Sequence, residues 1–135
     1  MSRRKAREVA VQALFQLDFN QVNTETAMEA VINEHEGISE SSRQYAQKLI
    51  NGTQHSLAEI DAIISSSSNE WKLDRMAAVD RNIARIAIYE MKFSEEQLPP
   101  NVAINEAVEM AKTFGSEDSS RFINGILGSL VKKKG

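Results

Sequence analysis

The sequence contains no cysteine, and among its 135 residues it has only two prolines and six glycines. The absence of cysteine excludes disulfide scaffolds, thiolate metal sites, iron–sulfur clusters and cysteine nucleophiles. No apolar run approaches the roughly 18 residues of a membrane-spanning helix, and the first residues lack the apolar stretch of a signal peptide. We therefore expect a cytoplasmic protein, and the length suits a single domain that spans residues 1–135.

Basic residues are missing from one long stretch, because neither Lys nor Arg occurs between Arg7 and Arg43. The net charge of −3 hides an uneven distribution, in which residues 1–8 carry +3, residues 9–131 carry −9 and residues 132–134 carry +3. A net negative charge taken alone argues against nucleic-acid binding, for which proteins are usually basic. An acidic body with two basic ends indicates instead a polyanionic partner.

The motifs of catalytic and metal sites are missing as well. His35 and His55 are the only histidines, and neither has a partner at the spacing of metal ligands. The sequence contains no glycine-rich phosphate loop and no nucleophile elbow. We therefore expect a protein that is not an enzyme and that holds neither a metal nor a cofactor. Both histidines are expected to be solvent-facing helix residues.

Helical spacing is what the sequence does contain, since apolar residues recur three and four positions apart along most of its length. This periodicity predicts an all-α fold of about seven helices with short connections. The stretch 83–89 is apolar almost all round, which predicts a buried central helix. We expect Thr26, Asn101 and Ser116 to be helix N-caps. The predicted helices span residues 3–19, 26–36, 42–66, 71–76, 80–93, 101–115 and 116–132.

The basic start of the first helix is a candidate binding site. Arg3 and Arg7 continue the apolar stripe of Ala10 and Leu14, so either their stems cover the edge of the core or the helix end overhangs the body. Cations in a first turn oppose the helix dipole, and a sequence that needed only a helix start would place acids there. Two interpretations stay open, a solubilising terminus and a helix end that binds phosphate.

The last helix offers weaker candidates. Phe122 lies about 100° off the apolar stripe and follows Arg121 directly, so it is either an aromatic at the rim of the core or a platform on which an unpaired base stacks. The lysines at 132–134 either solvate the end of the helix or bind an anion. Gly125 and Gly128 are expected to let this helix pack closely against a neighbour.

Several motifs together resemble the NusB family of transcription antitermination factors. The resemblance covers essentially the whole chain in order, except for residues 20–68, and it is strongest after residue 100. The matching segments are RKARE at 4–8, QALFQ at 12–16, VDR at 79–81, RIAIYE at 85–90, VAINEAVE at 102–109, AK at 111–112, FG at 114–115, EDS at 117–119 and FINGIL at 122–127.

The resemblance implies two packed helical sub-bundles and a protein that binds boxA, a single-stranded element of nascent ribosomal transcripts, together with NusE, a ribosomal small-subunit protein. It implies that this pair joins the antitermination complex on RNA polymerase. It also implies that Asp80 belongs to the partner surface, and the acidic body suits a basic partner. By position, the implied RNA-binding residues are Arg3, Arg4, Lys5, Arg7, Lys112, Asp118, Arg121 and Phe122.

Two other hypotheses stay open beside the antitermination factor. A similar helical domain is appended to RNA cytosine methyltransferases, so the chain is alternatively an accessory domain of such an enzyme. The remaining hypothesis is a helical module that self-associates through its acidic, Met-containing surface and binds no RNA. A reading frame that continues past Gly135 would favour the first alternative, and failure to bind any RNA would favour the second.

Overall fold

The computed structural model describes residues 3–35, 37–67 and 76–132, and all the regular structure in these ranges is helical. The predicted all-α fold is therefore confirmed. The predicted turn at 71–76 lies outside the described residues, apart from Met76. Within the described ranges the α-helices are α1 Arg3–Phe19, α2 Thr24–Glu34, α3 Glu40–His55, α4 Leu57–Ser67, α5 Ala78–Ile88, α6 Pro100–Phe114 and α7 Ser119–Lys132.

The helices form two groups around a shared core. Helices α1, α2 and α3 pack on one another, while α6 packs on α5 and α7, and α4 packs on α5 and α7. Helix α5 joins the groups because α1 packs along it as well. Residues 83–88 of α5 are all buried, as the apolar pattern predicted. The helical turns continue beyond α5 as a π-helix, Tyr89–Phe93, whose wider turns are often found at functional sites.

All three predicted N-caps are wrong, and the first two belong to α2 and α6. Helix α2 begins at Thr24 because Asn23 is its N-cap, and the Asn23 Oδ1 accepts a hydrogen bond from the Thr26 backbone N–H at 2.7 Å. Helix α6 begins at Pro100, whose fixed φ suits the first helical position, so Asn101 lies inside the helix. In both places the sequence offers competing start signals within three residues of one another.

Helix α7 differs from its prediction in its start and in its glycines. It begins at Ser119, and the Ser119 hydroxyl accepts a hydrogen bond from the Ser116 N–H at 2.9 Å across the preceding turn. Ser116 is therefore not the N-cap. A Cβ atom at Gly125 or Gly128 would have no other atom within 4 Å, so these glycines do not serve close helix packing.

The predicted helix over 42–66 is in fact two helices. Helix α3 ends at His55 and α4 begins at Leu57, because Ser56 leaves the helical conformation at φ −104° and ψ 18°, although its N–H still donates to the Gly52 oxygen at 3.1 Å and its oxygen accepts from the Ile60 N–H at 2.9 Å. Apolar residues keep helical spacing on both sides of Ser56, so periodicity alone does not reveal the break. Gly52, near the end of α3, lies against the ring of Tyr89, which a Cβ at this position would overlap.

Candidate nucleic-acid and partner interface

Arg7, which lies one turn after Arg3 in α1, pairs with a buried carboxylate. Glu90, in the π-helix, is 2% exposed and accepts hydrogen bonds from Arg7 Nε at 2.8 Å and Nη2 at 2.9 Å. Tyr45 of α3 donates a further hydrogen bond to Glu90 at 2.5 Å. Burial, together with this hydrogen bond to a carboxylate, raises the pKa of Tyr45 to about 12. The cluster of Arg7, Glu90 and Tyr45 thus ties α1 to α3 and to the π-helix.

A second carboxylate, Glu106 of α6, lies closer to the surface. It accepts from Arg4 Nη2 at 2.8 Å and from Arg4 Nε at 3.2 Å, one bond to each carboxylate oxygen, and from Arg7 Nη1 at 3.1 Å. The Arg4 side chain is 54% exposed, whereas that of Glu106 is 20% exposed. The hydrogen bond from Arg4 lowers the pKa of Glu106, against the opposing effect of burial.

The other two cations of the basic start lie partly exposed. The guanidinium carbon of Arg3 lies 4.6 Å from the centre of the Tyr45 ring, a cation–π contact. Lys5 is half-buried. Arg7 is buried. Of the two alternatives for the arginine stripe, Arg7 therefore covers the core and does not overhang the body. The four cations therefore differ in how readily a phosphate can reach them. Among Arg3, Arg4, Lys5 and Arg7, the side chain of Arg4 is the most exposed.

The remaining predicted RNA-binding residues lie around the junction of α6 and α7. Lys112 is exposed, with its Nζ 3.7 Å from a carboxylate oxygen of Glu109. Asp118 is exposed in the turn before α7, where its backbone oxygen accepts from the Phe122 N–H at 3.0 Å. Arg121 is exposed. Phe122 is half-buried against the core, which is the rim position that one of its two interpretations predicted.

Helix α6 connects these two groups of residues. Its Glu106 meets the start of α1, and Lys112 follows six residues later, a rise of about 9 Å along the helix axis. The side chains of the lysines at 132–134 lie outside the described residues. The structure therefore places the predicted RNA-binding residues in two clusters, one at the start of α1 and one at the α6–α7 junction.

The predicted partner residue Asp80 lies in the first turn of α5 and is largely buried. Among the described residues its Oδ1 has no hydrogen-bond partner. Near it, Asp18 of α1 accepts from Asn82 Nδ2 at 2.8 Å and from Arg81 Nη2 at 3.2 Å. Arg85, buried in the next turn of α5, also reaches Asp18, at 3.4 Å. This polar network fixes the end of α1 against the start of α5.

Next to this network lies an exposed apolar pair that the sequence did not reveal. Phe15 is 38% exposed and Phe19 is 65% exposed, with their ring centres 4.9 Å apart and the rings tilted by 54°. The exposed Val22 follows them in the chain. Helical spacing predicts that Val11 and Phe15 widen the buried stripe of α1, which is confirmed for Val11 and wrong for Phe15. The available signal was the four-residue spacing of the two rings, which puts both on one helix face away from Ala10 and Leu14.

Neither the two histidines nor a cluster of metal-binding side chains forms a further site among the described residues. His35 is half-buried at the C-cap of α2, with its Nε2 2.7 Å from Gln12 Oε1, so the expectation of a solvent-facing helix residue is wrong for it. His55, at the end of α3, is exposed. The described residues contain no group of three or more side chains that could hold a metal ion. None of the helices in the described ranges has the length and apolarity to cross a membrane.

These features define a small helical protein whose helix α1 has a basic start and, near its other end, an exposed aromatic pair. A sequence profile of the NusB family matches residues 4–132. The transcription antitermination protein NusB of Desulforudis audaxviator is 47% identical over 133 residues, which are 98% of this chain and 95% of that relative. The corresponding protein of Desulforamulus reducens is 46% identical over 134 residues, 99% of this chain and 92% of that relative. The chain belongs to the NusB family, as its motifs predicted.

Solved structures of relatives share the fold over nearly the whole chain. NusB of T. maritima superposes with a TM-score of 0.87 at 36% identity and covers 98% of this chain and 92% of its own. A crystal structure of the antitermination factors NusB and NusE in complex with dsRNA gives a TM-score of 0.84 at 28% identity, covering 97% of this chain and 96% of that one. The arrangement of helices described above is therefore the arrangement found in the family.

Proposed function

We propose that this protein is a transcription antitermination factor, an adaptor that binds boxA RNA together with a NusE-type ribosomal protein and joins the antitermination complex on RNA polymerase. The observation that carries the proposal is the match of nearly the whole chain to proteins named transcription antitermination protein NusB. A relative of the same fold was solved in complex with NusE and dsRNA, which supports a NusE-type protein and an RNA as partners. Such an adaptor works without catalysis or a cofactor, and it acts where transcription occurs, in the cytoplasm.

The proposed RNA surface runs from the start of α1 to the α6–α7 junction. Arg3, Arg4 and Lys5 supply cations for phosphates, which give affinity and salt dependence but do not read sequence. Lys112 and Arg121 extend this positive surface. At its far end, the Asp118 carboxylate can accept hydrogen bonds from base edges and the Phe122 ring can stack on an unpaired base. The proposed surface thus joins phosphate contacts to base contacts, as single-stranded recognition requires.

Arg7 has a different part in this proposal. It is buried, and three hydrogen bonds hold its guanidinium between Glu90 and Glu106. A phosphate could reach Arg7 only by displacing one of these carboxylates, and exchanging a satisfied buried ion pair is costly. We therefore assign Arg7 chiefly to positioning the start of α1, with Arg4 as the main phosphate ligand in that helix.

The proposed surface for the NusE-type partner centres on Phe15 and Phe19. Large exposed aromatic side chains that lie together are typical anchors of protein interfaces. Asp80, in the first turn of α5, is largely buried, so it offers a partner little surface of its own. This surface and the cationic start lie at opposite ends of α1, so both partners can bind at once.

Binding measurements with the full chain test this proposal. A labelled boxA RNA is titrated with the protein at two salt concentrations, with and without the cognate NusE protein, next to an unrelated RNA of equal length and a boxA duplex. We expect salt-dependent binding that NusE strengthens and that favours single-stranded boxA, because two linked contact surfaces act on one ligand. Equal affinity for boxA and the unrelated RNA in the presence of NusE would contradict the proposal.

A further inference from the structure

We propose that Glu106 competes with RNA phosphate for Arg4 and thereby limits the affinity of this protein for RNA on its own. The inference rests on the proposed function, in which RNA phosphates bind at the start of α1. It concerns a residue that neither the charge pattern nor the motifs of the sequence assign to RNA binding. In this role the Glu106 carboxylate occupies the guanidinium group of Arg4 until an RNA phosphate replaces it.

The geometry of the Arg4–Glu106 pair is that of a phosphate complex. Both carboxylate oxygens of Glu106 accept hydrogen bonds from Arg4, at 2.8 and 3.2 Å, in the two-pronged arrangement that guanidinium groups also form with phosphate. The pair lies at the protein surface, where the Arg4 side chain is 54% exposed. A phosphate that binds Arg4 with the same donors must displace Glu106, and one that binds beside it approaches a like charge.

The fold does not depend on Glu106 to hold Arg7. Glu90 already accepts two hydrogen bonds from Arg7, at 2.8 and 2.9 Å, and it is the more deeply buried of the two carboxylates. Glu106 adds one further hydrogen bond to Arg7, at 3.1 Å. Because Glu90 fixes the position of Arg7, the second carboxylate is free to act on Arg4 at the surface. Its negative charge cancels one cation where the sequence pattern predicts a strongly basic patch.

Such competition makes RNA binding depend on the partner. With Glu106 in place, the start of α1 offers RNA less net positive charge than its sequence suggests, so binding by this protein alone stays weak. A partner that contacts the same RNA supplies the missing free energy and allows the phosphate to replace Glu106. The adaptor then discriminates between RNA that carries the partner and RNA that does not.

The decisive variant is Glu106→Gln, which removes the charge but keeps one oxygen that can accept from Arg4 and Arg7. Its matched control is Glu29→Gln, where the same change of net charge affects a carboxylate of α2 that pairs with Arg43 of α3, an arginine outside the proposed RNA surface. With boxA RNA at low salt, we expect E106Q to bind about 3- to 10-fold more tightly than wild type and E29Q to change affinity less than about 2-fold. The log–log salt slope of E106Q should equal that of wild type, because the competition changes how readily Arg4 binds a phosphate and not the number of phosphate contacts.

Further variants separate competition from a positioning role. Glu106→Ala also removes the hydrogen bonds to Arg4, so it tightens binding if Glu106 competes with RNA and weakens binding if Glu106 orients Arg4. In an Arg4→Gln background, E106Q should lose its effect, because the competition acts through Arg4. Thermal unfolding of each variant verifies that the fold is retained.

The outcomes distinguish this inference from the function on which it rests. Tighter binding by E106Q and E106A that disappears in the R4Q background supports the competition. A second outcome is that R4Q binds boxA RNA more weakly than wild type, while E106Q and E106A bind it equally well or more weakly. This outcome overturns the competition and leaves the RNA site at the start of α1 in place. Failure of the wild-type protein to bind boxA RNA, with or without NusE, overturns both.

Discussion

Arg7 donates two hydrogen bonds to the carboxylate of Glu90, at 2.8 and 2.9 Å, although 83 residues separate them in the chain. Both side chains are buried, so this ion pair has little screening by solvent. The contact joins the start of α1 to the π-helix that follows α5. It thereby sets the orientation of the helix end that carries Arg3 and Arg4, the cations proposed to meet RNA.

Removal of Arg7 should destabilise the protein strongly. Arg7→Ala leaves the carboxylate of Glu90 buried without its counter-charge, which costs about 3–5 kcal/mol. Arg4→Ala removes an exposed partner of Glu106 and should cost no more than about 1 kcal/mol. Urea unfolding of the two variants measures the difference. An unfolding free energy of R7A within about 1 kcal/mol of wild type would contradict the structural role of Arg7.

Two glycines should respond in opposite directions to the same substitution. Gly52→Ala forces a Cβ into the Tyr89 ring and should cost about 1–3 kcal/mol through overpacking. Gly125→Ala adds a Cβ where no atom lies within 4 Å, and it should stabilise α7 by up to about 1 kcal/mol through helix propensity. Thermal and urea unfolding report both changes. If G52A is as stable as wild type, Tyr89 does not pack against α3 as described.

The stability of the protein should fall at high pH because of Tyr45. Burial and the hydrogen bond to Glu90 raise the pKa of Tyr45 to about 12, whereas a tyrosine in an unfolded chain ionises near 10. The folded state therefore holds this proton more tightly than the unfolded state. The resulting stabilisation is complete below pH 10 and is lost as the pH rises toward about 12. Urea unfolding at several pH values should show a smaller decline over this range for Tyr45→Phe than for wild type, and equal declines would refute the assignment.

The exposed aromatic pair should matter for the protein partner and little for stability. Phe19→Ser removes the more exposed ring and should weaken binding of the NusE protein by about 10-fold or more, as for an interface anchor. Val102→Ser is the matched control, because Val102 is another exposed apolar residue, on α6. Calorimetric titration with NusE measures both affinities. Equal affinities of F19S and V102S would remove the aromatic pair from the partner surface.

The sequence predicted those features that depend on local patterns. The limits of α1 and the burial of residues 83–88 follow from helical periodicity, and both agree with the structure. The break at Ser56 did not follow, because the apolar spacing continues across it. Start signals at Asn23 and Thr26 compete within one turn, and only the folded chain shows which of them caps α2.

The candidate site shows the same division. Periodicity put Arg3 and Arg7 on one stripe of α1, and residue type marked them as possible phosphate ligands. It did not separate buried Arg7 from exposed Arg4, because the carboxylates that hold them, Glu90 and Glu106, lie far away in sequence. Such pairing depends on how the fold brings the π-helix and α6 to the start of α1. The sequence pattern therefore could not predict which of these arginines is buried and which is exposed.

The most direct test of RNA binding at the start of α1 is a salt titration of boxA RNA affinity for wild type and Arg4→Gln. Arg43→Gln serves as the matched control, since Arg43 is a partly exposed arginine of α3 that pairs with Glu29. We predict that R4Q weakens binding and makes the log–log salt slope shallower by about 0.7, the value for one lost phosphate contact, while R43Q leaves both unchanged. Identical affinities and slopes for R4Q and R43Q would contradict the assignment of this helix end to RNA.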